Sequence, residues 1–214
     1  MNIKKLINEL VGTAVLLIAV VGSSYMAAKL TSDKALSLLI VAAVTAAALA
    51  IIIKSGAAIS GAHYNPAVTI SSLLTGGIKA AEAFTYIISQ ILGATIGVVI
   101  ANAMFSETLF GSSSVIRSGS GQFIGEIVAT SGLVYLALTA NEKSVWKMIP
   151  LWIFAAYFFT SSTSFANPAV TISRIFTDAP TGISSSSVFG FIAAQIVGSL
   201  LAVLAVKSKL NKGQ

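Results

Sequence analysis

The sequence has 214 residues and no cysteine, so disulfides, thiolate metal sites and cysteine nucleophiles are excluded together. A single histidine, His63, rules out a multi-histidine metal site within one chain. No nucleophile stands beside a base, so neither an enzyme nor a cofactor is indicated. Charge is also scarce: 9% of the residues are charged and 56% hydrophobic, with a mean hydropathy of +0.91. An ordinary soluble domain carries about 25% charged residues. Thirteen basic and seven acidic side chains cannot cover a globule of this size in water. A soluble enzyme, a nucleic-acid binder and a disordered chain are therefore excluded, and a net charge of +6, scattered along the chain, recruits no nucleic acid. At about 20 residues per span, the length accommodates roughly six transmembrane helices with short loops. The composition is that of an integral protein of the lipid bilayer.

Apolar runs fall at about Leu6–Ala28, Ala35–Ile53, Ala83–Phe105, Ile124–Ala140, Val145–Thr160 and Val188–Val206. They lack the alternation of a membrane barrel, which predicts an all-α protein. The first run follows Lys4 and Lys5, but it is too long for a signal peptide and has no small-residue cleavage site, so it is expected to be a transmembrane helix. With six spans, Lys4, Lys5, Lys54, Lys79, Lys143, Lys147, Lys207, Lys209 and Lys212 share one side, and Lys29, Lys34, Arg117 and Arg174 the other. Basic residues favour the cytoplasmic face, which puts both termini there. Trp146 suits an interfacial anchor on that side.

Two connections, Ser55–Ala80 and Ser161–Ser187, are too long and apolar for simple loops. Each contains a half-span of about ten residues that begins Asn-Pro-Ala, and setting the halves side by side extends the match. Glu9, Asn65-Pro66-Ala67-Val68-Thr69-Ile70-Ser71 and Gln90-Ile91-Leu92-Gly93 correspond to Glu126, Asn167-Pro168-Ala169-Val170-Thr171-Ile172-Ser173 and Gln195-Ile196-Val197-Gly198. Three spans per half require the second half to insert upside down. Such inverted repeats place their functional site near the midplane, where broken helices meet.

The motif suits the start of a helix. Proline lacks an N–H and is tolerated at the first helical position, and the asparagine before it caps the first turn through its carboxamide oxygen. That leaves the amide NH2 to donate into a pore. Two half-helices meeting N-terminus to N-terminus focus positive dipole ends at the bilayer centre, which repels cations. Residues Ser60–Tyr64 and Ser164–Ala166 can offer backbone carbonyls to a neutral hydroxylated solute. Glu9 and Glu126 are costly inside spans unless paired. They either line the conduction path or brace orphaned N–H groups of the half-helices, and their equivalent positions in the two halves favour bracing. Gly12, Gly93, Gly97, Gly132 and Gly198 suit close helix packing. His63 is a pH gate or a static buttress of its loop.

These features resemble the aquaporins, the major intrinsic protein family. Ser60-Gly61-Ala62-His63-Tyr64-Asn65-Pro66-Ala67-Val68-Thr69 is similar to the family's first signature, and the likeness covers nearly the whole chain. It implies one channel domain over residues 1–214, with inverted repeats of about 1–106 and 120–214. It also implies six transmembrane helices with two re-entrant half-helices, and a homotetramer in the cell membrane with one passive pore per subunit. Most members carry arginine directly after the second Asn-Pro-Ala, where it narrows the outer constriction; here that residue is Val170. Counting from the two asparagines places the remaining constriction positions at Thr45, Ala155 and Ser164, all small or medium, which implies a wider and less polar constriction. Arg174, four residues after Val170, is either a displaced filter arginine at the outer mouth or an anchor to Asp178. The stretch from Ala156 to Arg174 resembles a bacterial branch associated with arsenic resistance. That likeness implies passage of neutral metalloid acids (arsenous acid, methylated arsenicals), of glycerol-like polyols, or of water. A water-selective channel and an ion-coupled secondary transporter are the alternatives.

Overall fold

The computed structural model describes the backbone of residues 2–212 and side chains through Lys209; Met1, the side chain of Lys212 and the last two residues of the second repeat lie outside the described residues. The described residues form helices joined by loops, and none is in a strand. The first half is α1 (Ile3–Leu30), α2 (Lys34–Ser60), the short α3 (Pro66–Leu74) and α4 (Ala80–Met104). The second is α5 (Ser120–Thr139), α6 (Val145–Phe159), the short α7 (Pro168–Ser173) with a 3-10 turn at Arg174–Phe176, and α8 (Ser185–Lys212). Five of these helices are long and apolar enough to cross a membrane, and α6 is a shorter apolar helix of 15 residues.

Side-chain bonds fix the directions of the helices. At the start of α1 and α4, Lys5 Nζ meets Glu82 Oε1 at 2.8 Å, the one ion pair among the described residues. Near their ends, Tyr25 Oη lies 3.1 Å from Asn102 Oδ1, so α1 and α4 run parallel. Asn8 Nδ2 donates to Ser60 Oγ at 2.7 Å, which brings the end of α2 back beside the start of α1. Around Tyr25 and Asn102, at the far end of the bundle, lie Thr177 and the connection to α5. Helix α5 therefore starts where α1 ends, and the second half runs upside down relative to the first.

Helix α2 is longer than the apolar run suggests: it continues past Ile53 to Ser60 and takes Lys54 with it. Residues 54–60 contain no proline, and the helix carries the one glycine among them, Gly56. The break comes at Gly61, whose φ of 86° is the left-handed conformation that ends helices and favours glycine. Lys54 stays exposed and sets its ammonium 5.0 Å from the Trp146 ring centroid, with Lys147 at the same distance. The half-spans have about the expected length: α3 has nine residues, and α7 has six and tightens into the three-residue 3-10 turn. At α4, Gly93 lets the helix touch α1, because a Cβ there would overlap the Leu10 carbonyl. Gly198 does the same in α8, where a Cβ would come within 2.6 Å of the Ile127 carbonyl oxygen.

Candidate functional site: the central pore

One cavity runs through the middle of the bundle. One wall is apolar, formed by side chains of α1, α2, α5 and α6 that include Leu16, Leu49, Leu133 and Ile149. The other is built by the two re-entrant loops and carries Asn65 and Asn167. Each asparagine is extended (φ −158° and −157°) and caps its half-helix: Asn65 Oδ1 accepts from Ala67 N at 2.8 Å, and Asn167 Oδ1 from Ala169 N at 2.9 Å. Their Nδ2 groups cross the midline, Asn65 donating to the Ala166 carbonyl (2.7 Å) and Asn167 to the Tyr64 carbonyl (2.8 Å). The sequence left both N–H bonds of each amide to the pore; the fold uses one to tie the loops together. The second remains for a solute.

Glu9 and Glu126 are fully buried and stand outside the cavity lining. Glu9 accepts from the backbone N–H groups of His63 (3.0 Å) and Tyr64 (2.7 Å), Glu126 from those of Phe165 (2.9 Å) and Ala166 (2.8 Å). Gln90 and Gln195 donate to these carboxylates at 2.8 and 2.7 Å, and each also reaches the threonine four residues after its asparagine, Thr69 or Thr171. In a trans peptide the carbonyl points opposite to the following N–H. Turning these N–H groups to the carboxylates therefore turns the carbonyls of Ala62, His63, Ser164 and Phe165 the other way, and all four residues line the cavity. The turn needs positive φ at Ala62, Tyr64, Ser164 and Ala166 (47–52°), a conformation costing about 1–2 kcal/mol per residue. His63 also lines the cavity; its Nδ1 lies 3.1 Å from Thr69 Oγ1 and its ring packs edge-on to Tyr86.

Of the constriction residues expected from the sequence, Thr45, Ser164 and Val170 line the cavity and Ala155 does not. Ala155 is exposed on the outer face of α6, and Tyr157 faces inward in its place. Counting back from the second motif assumed an unbroken register, but α6 ends at Phe159 and the chain to Asn167 is irregular. The buried, cavity-lining residues Ile149, Ile153 and Tyr157 are spaced by four, and that periodicity was the signal for the correct face. Tyr157 Oη lies 3.2 Å from Thr45 Oγ1, so an aromatic ring and a paired hydroxyl stand where a methyl group was expected. Ser164 Oγ is buried and has no hydrogen-bond partner among the described residues.

Arg174 is 2% exposed and lines the cavity. It makes no ion pair with Asp178: its Nε donates to the Thr181 carbonyl, and its guanidinium carbon sits 3.5 Å from the Phe165 ring centroid. Phe165 escaped the sequence reading because nothing in its spacing marks it as the floor beneath a charge.

A cavity through a helical bundle of two opposed halves, capped at its centre by two asparagines, defines a membrane channel. The sequence matches the Major intrinsic protein family over residues 1–165, and the chain belongs to that family, whose members are passive channels rather than enzymes. It is 38% identical over 203 residues to the aquaglyceroporin AqpS of Rhizobium meliloti (strain 1021), covering 94% of this chain and 87% of that one. It is 35% identical over 150 residues to the probable aquaporin TIP2-2 of Arabidopsis thaliana, covering 66% and 60%. The X-ray structure of the aquaglyceroporin from Plasmodium falciparum superposes with a TM-score of 0.76 at 20% identity over 94% of each chain, a likeness of fold. The protein is a multi-pass membrane channel for small solutes.

Proposed function

We propose that this channel passes small uncharged hydroxylated solutes, namely glycerol-like polyols and neutral metalloid acids such as arsenous acid and methylated arsenicals, together with water. The observation that carries the reading is the constriction, where Thr45 and Tyr157, beside Ser164, offer hydroxyls and Val170 an isopropyl group. A solute with several hydroxyl groups exchanges water for the Thr45 and Tyr157 hydroxyls, the asparagine amides and the loop carbonyls, while its carbon or arsenic skeleton slides on the apolar wall. The name of the Rhizobium relative, an aquaglyceroporin, points the same way. Asn65-Pro66-Ala67 and Asn167-Pro168-Ala169 form the central gate, and Glu9 and Glu126 brace it. Arg174 takes the role of a filter arginine from one turn beyond Val170, an unpaired cation that opposes cation passage.

The channel acts as one domain of two inverted repeats, about 1–106 and 120–214, in the cell membrane as a homotetramer. Both termini are cytoplasmic, in keeping with nine basic residues on that side against four and with Trp146 between Lys54 and Lys147.

Stopped-flow light scattering on proteoliposomes, with water, glycerol and arsenous acid as permeants, tests the reading. Glycerol and arsenous acid should both exceed the flux into empty liposomes. Tyr157, closing on Thr45, favours a second reading, a water-selective pore; flux of water alone would establish it and reject the first.

A further inference from the structure

Arg117 lies in the segment that joins the two halves, outside every helix, and its side chain binds one short stretch of the second half. Nε donates to the Gly182 carbonyl at 2.8 Å and Nη2 to the Pro180 carbonyl at 3.2 Å. The carbonyl between them, that of Thr181, accepts from Arg174 Nε. Two guanidinium groups thus occupy three consecutive carbonyls. They also share a ring: the guanidinium carbon of Arg117 lies 4.8 Å from the Phe165 centroid and that of Arg174 3.5 Å. Neither arginine has a carboxylate partner within ion-pair distance among the described residues. Like charges this close repel, and carbonyl acceptors together with the face of an aromatic ring offset that repulsion.

The backbone around Arg117 is itself pinned. Arg117 N donates to Ser187 Oγ at 2.9 Å, Ser184 N to the Val115 carbonyl at 2.7 Å, and Ser113 N to the Ile175 carbonyl at 3.0 Å. Residues 113–117 therefore lie against 175–187 and lock the loop that follows the second half-helix. An arginine side chain has about 2 kcal/mol of rotamer entropy to lose, so a single bond at Nε fixes its terminal nitrogens only if the acceptor is itself rigid. Arg117 supplies that rigidity by gripping the carbonyls on either side of Thr181.

We propose that Arg117 is a positioning residue for selectivity: by clamping residues 180–182 it holds the Arg174 guanidinium against Phe165, in the pore wall beside Ser164 and Val170. The proposal rests on the role given to Arg174 above.

The test uses full-length protein in liposomes that contain a pH-sensitive dye, under a valinomycin-clamped potassium gradient, with the rate of proton entry as the readout. Arg174→Ala should raise proton entry. Arg117→Lys keeps the charge but loses the planar fork whose separate nitrogens reach two carbonyls, and it should raise entry about tenfold, the scale of one lost hydrogen bond to a charged group. The double variant Arg117→Ala/Arg174→Ala should leak no more than Arg174→Ala alone, since two residues acting as one unit are non-additive. Arg117→Lys at the wild-type rate would overturn the proposal, because charge rather than the fork would then suffice. A double variant leaking more than Arg174→Ala alone would overturn it too, by making the arginines independent. If Arg174→Ala itself leaks no more than wild type, the assignment of Arg174 fails, and the role of Arg117 fails with it, while solute flux through the pore stands.

Discussion

Val170 brings two methyl groups to the pore directly after Ala169, and Arg174, which also lines the cavity, lies over the Phe165 ring. Opposite stands Tyr157, whose hydroxyl spans to Thr45. The proposed constriction predicts that one ring limits its width. Tyr157→Ala removes it without touching the asparagines or the loop carbonyls. We expect glycerol permeability to rise by roughly tenfold relative to water, equivalent to about 1.4 kcal/mol off the barrier for the larger solute. The ratio of the two fluxes in stopped-flow measurements checks this, and an unchanged ratio would mean that another residue limits the solute. Single residues were legible in the sequence where a motif carried them, as for Asn65, Asn167 and Val170. Tyr157 and Phe165 were not, because their roles come from side chains meeting across the bundle rather than from spacing.

At the level of elements, the half-helices hold their place through backbone N–H groups that no water can satisfy within a bilayer. Glu9 and Glu126 answer that demand by accepting two backbone N–H bonds each. Close helix packing sets the rest. An alanine at Gly93 would overlap the Leu10 carbonyl, a backbone atom that cannot swing away, whereas the nearest atom to a Cβ at Gly22 is 3.7 Å distant. Gly93→Ala is therefore expected to cost about 1–3 kcal/mol, the range for overpacking, and to lower the melting temperature in detergent. Gly22→Ala should leave it unchanged or raise it, since alanine is favoured over glycine in a helix by about 0.5–1 kcal/mol. Equal melting of the two variants would show that α1 and α4 yield easily. The apolar runs located every long helix in the sequence, but they missed the last two turns of α2, because hydropathy falls at Lys54 and Ser55 while the helix runs on to Gly61.

For the whole molecule, large apolar side chains such as Phe84, Leu151 and Phe189 project outward at 66–84% exposure, a surface fit for lipid or for other subunits. A homotetramer predicts that chemical cross-linking in native membranes yields dimer, trimer and tetramer bands and nothing larger; a ladder that stops at dimer would reject it.

The sequence by itself determined the membrane setting, the helical class and the inverted duplication. Hydropathy and a seven-residue repeat are properties of order along the chain, and the bilayer converts them directly into spans and half-spans. Only the tertiary structure decided which side chains meet at the narrowest point. It turned Ala155 outward and Tyr157 inward, spent one amide N–H of each asparagine on the opposite loop, and placed Arg174 and Arg117 on either side of one carbonyl stretch. Those contacts join residues far apart in the chain, and their geometry follows from how the two halves pack against each other, which no local pattern encodes.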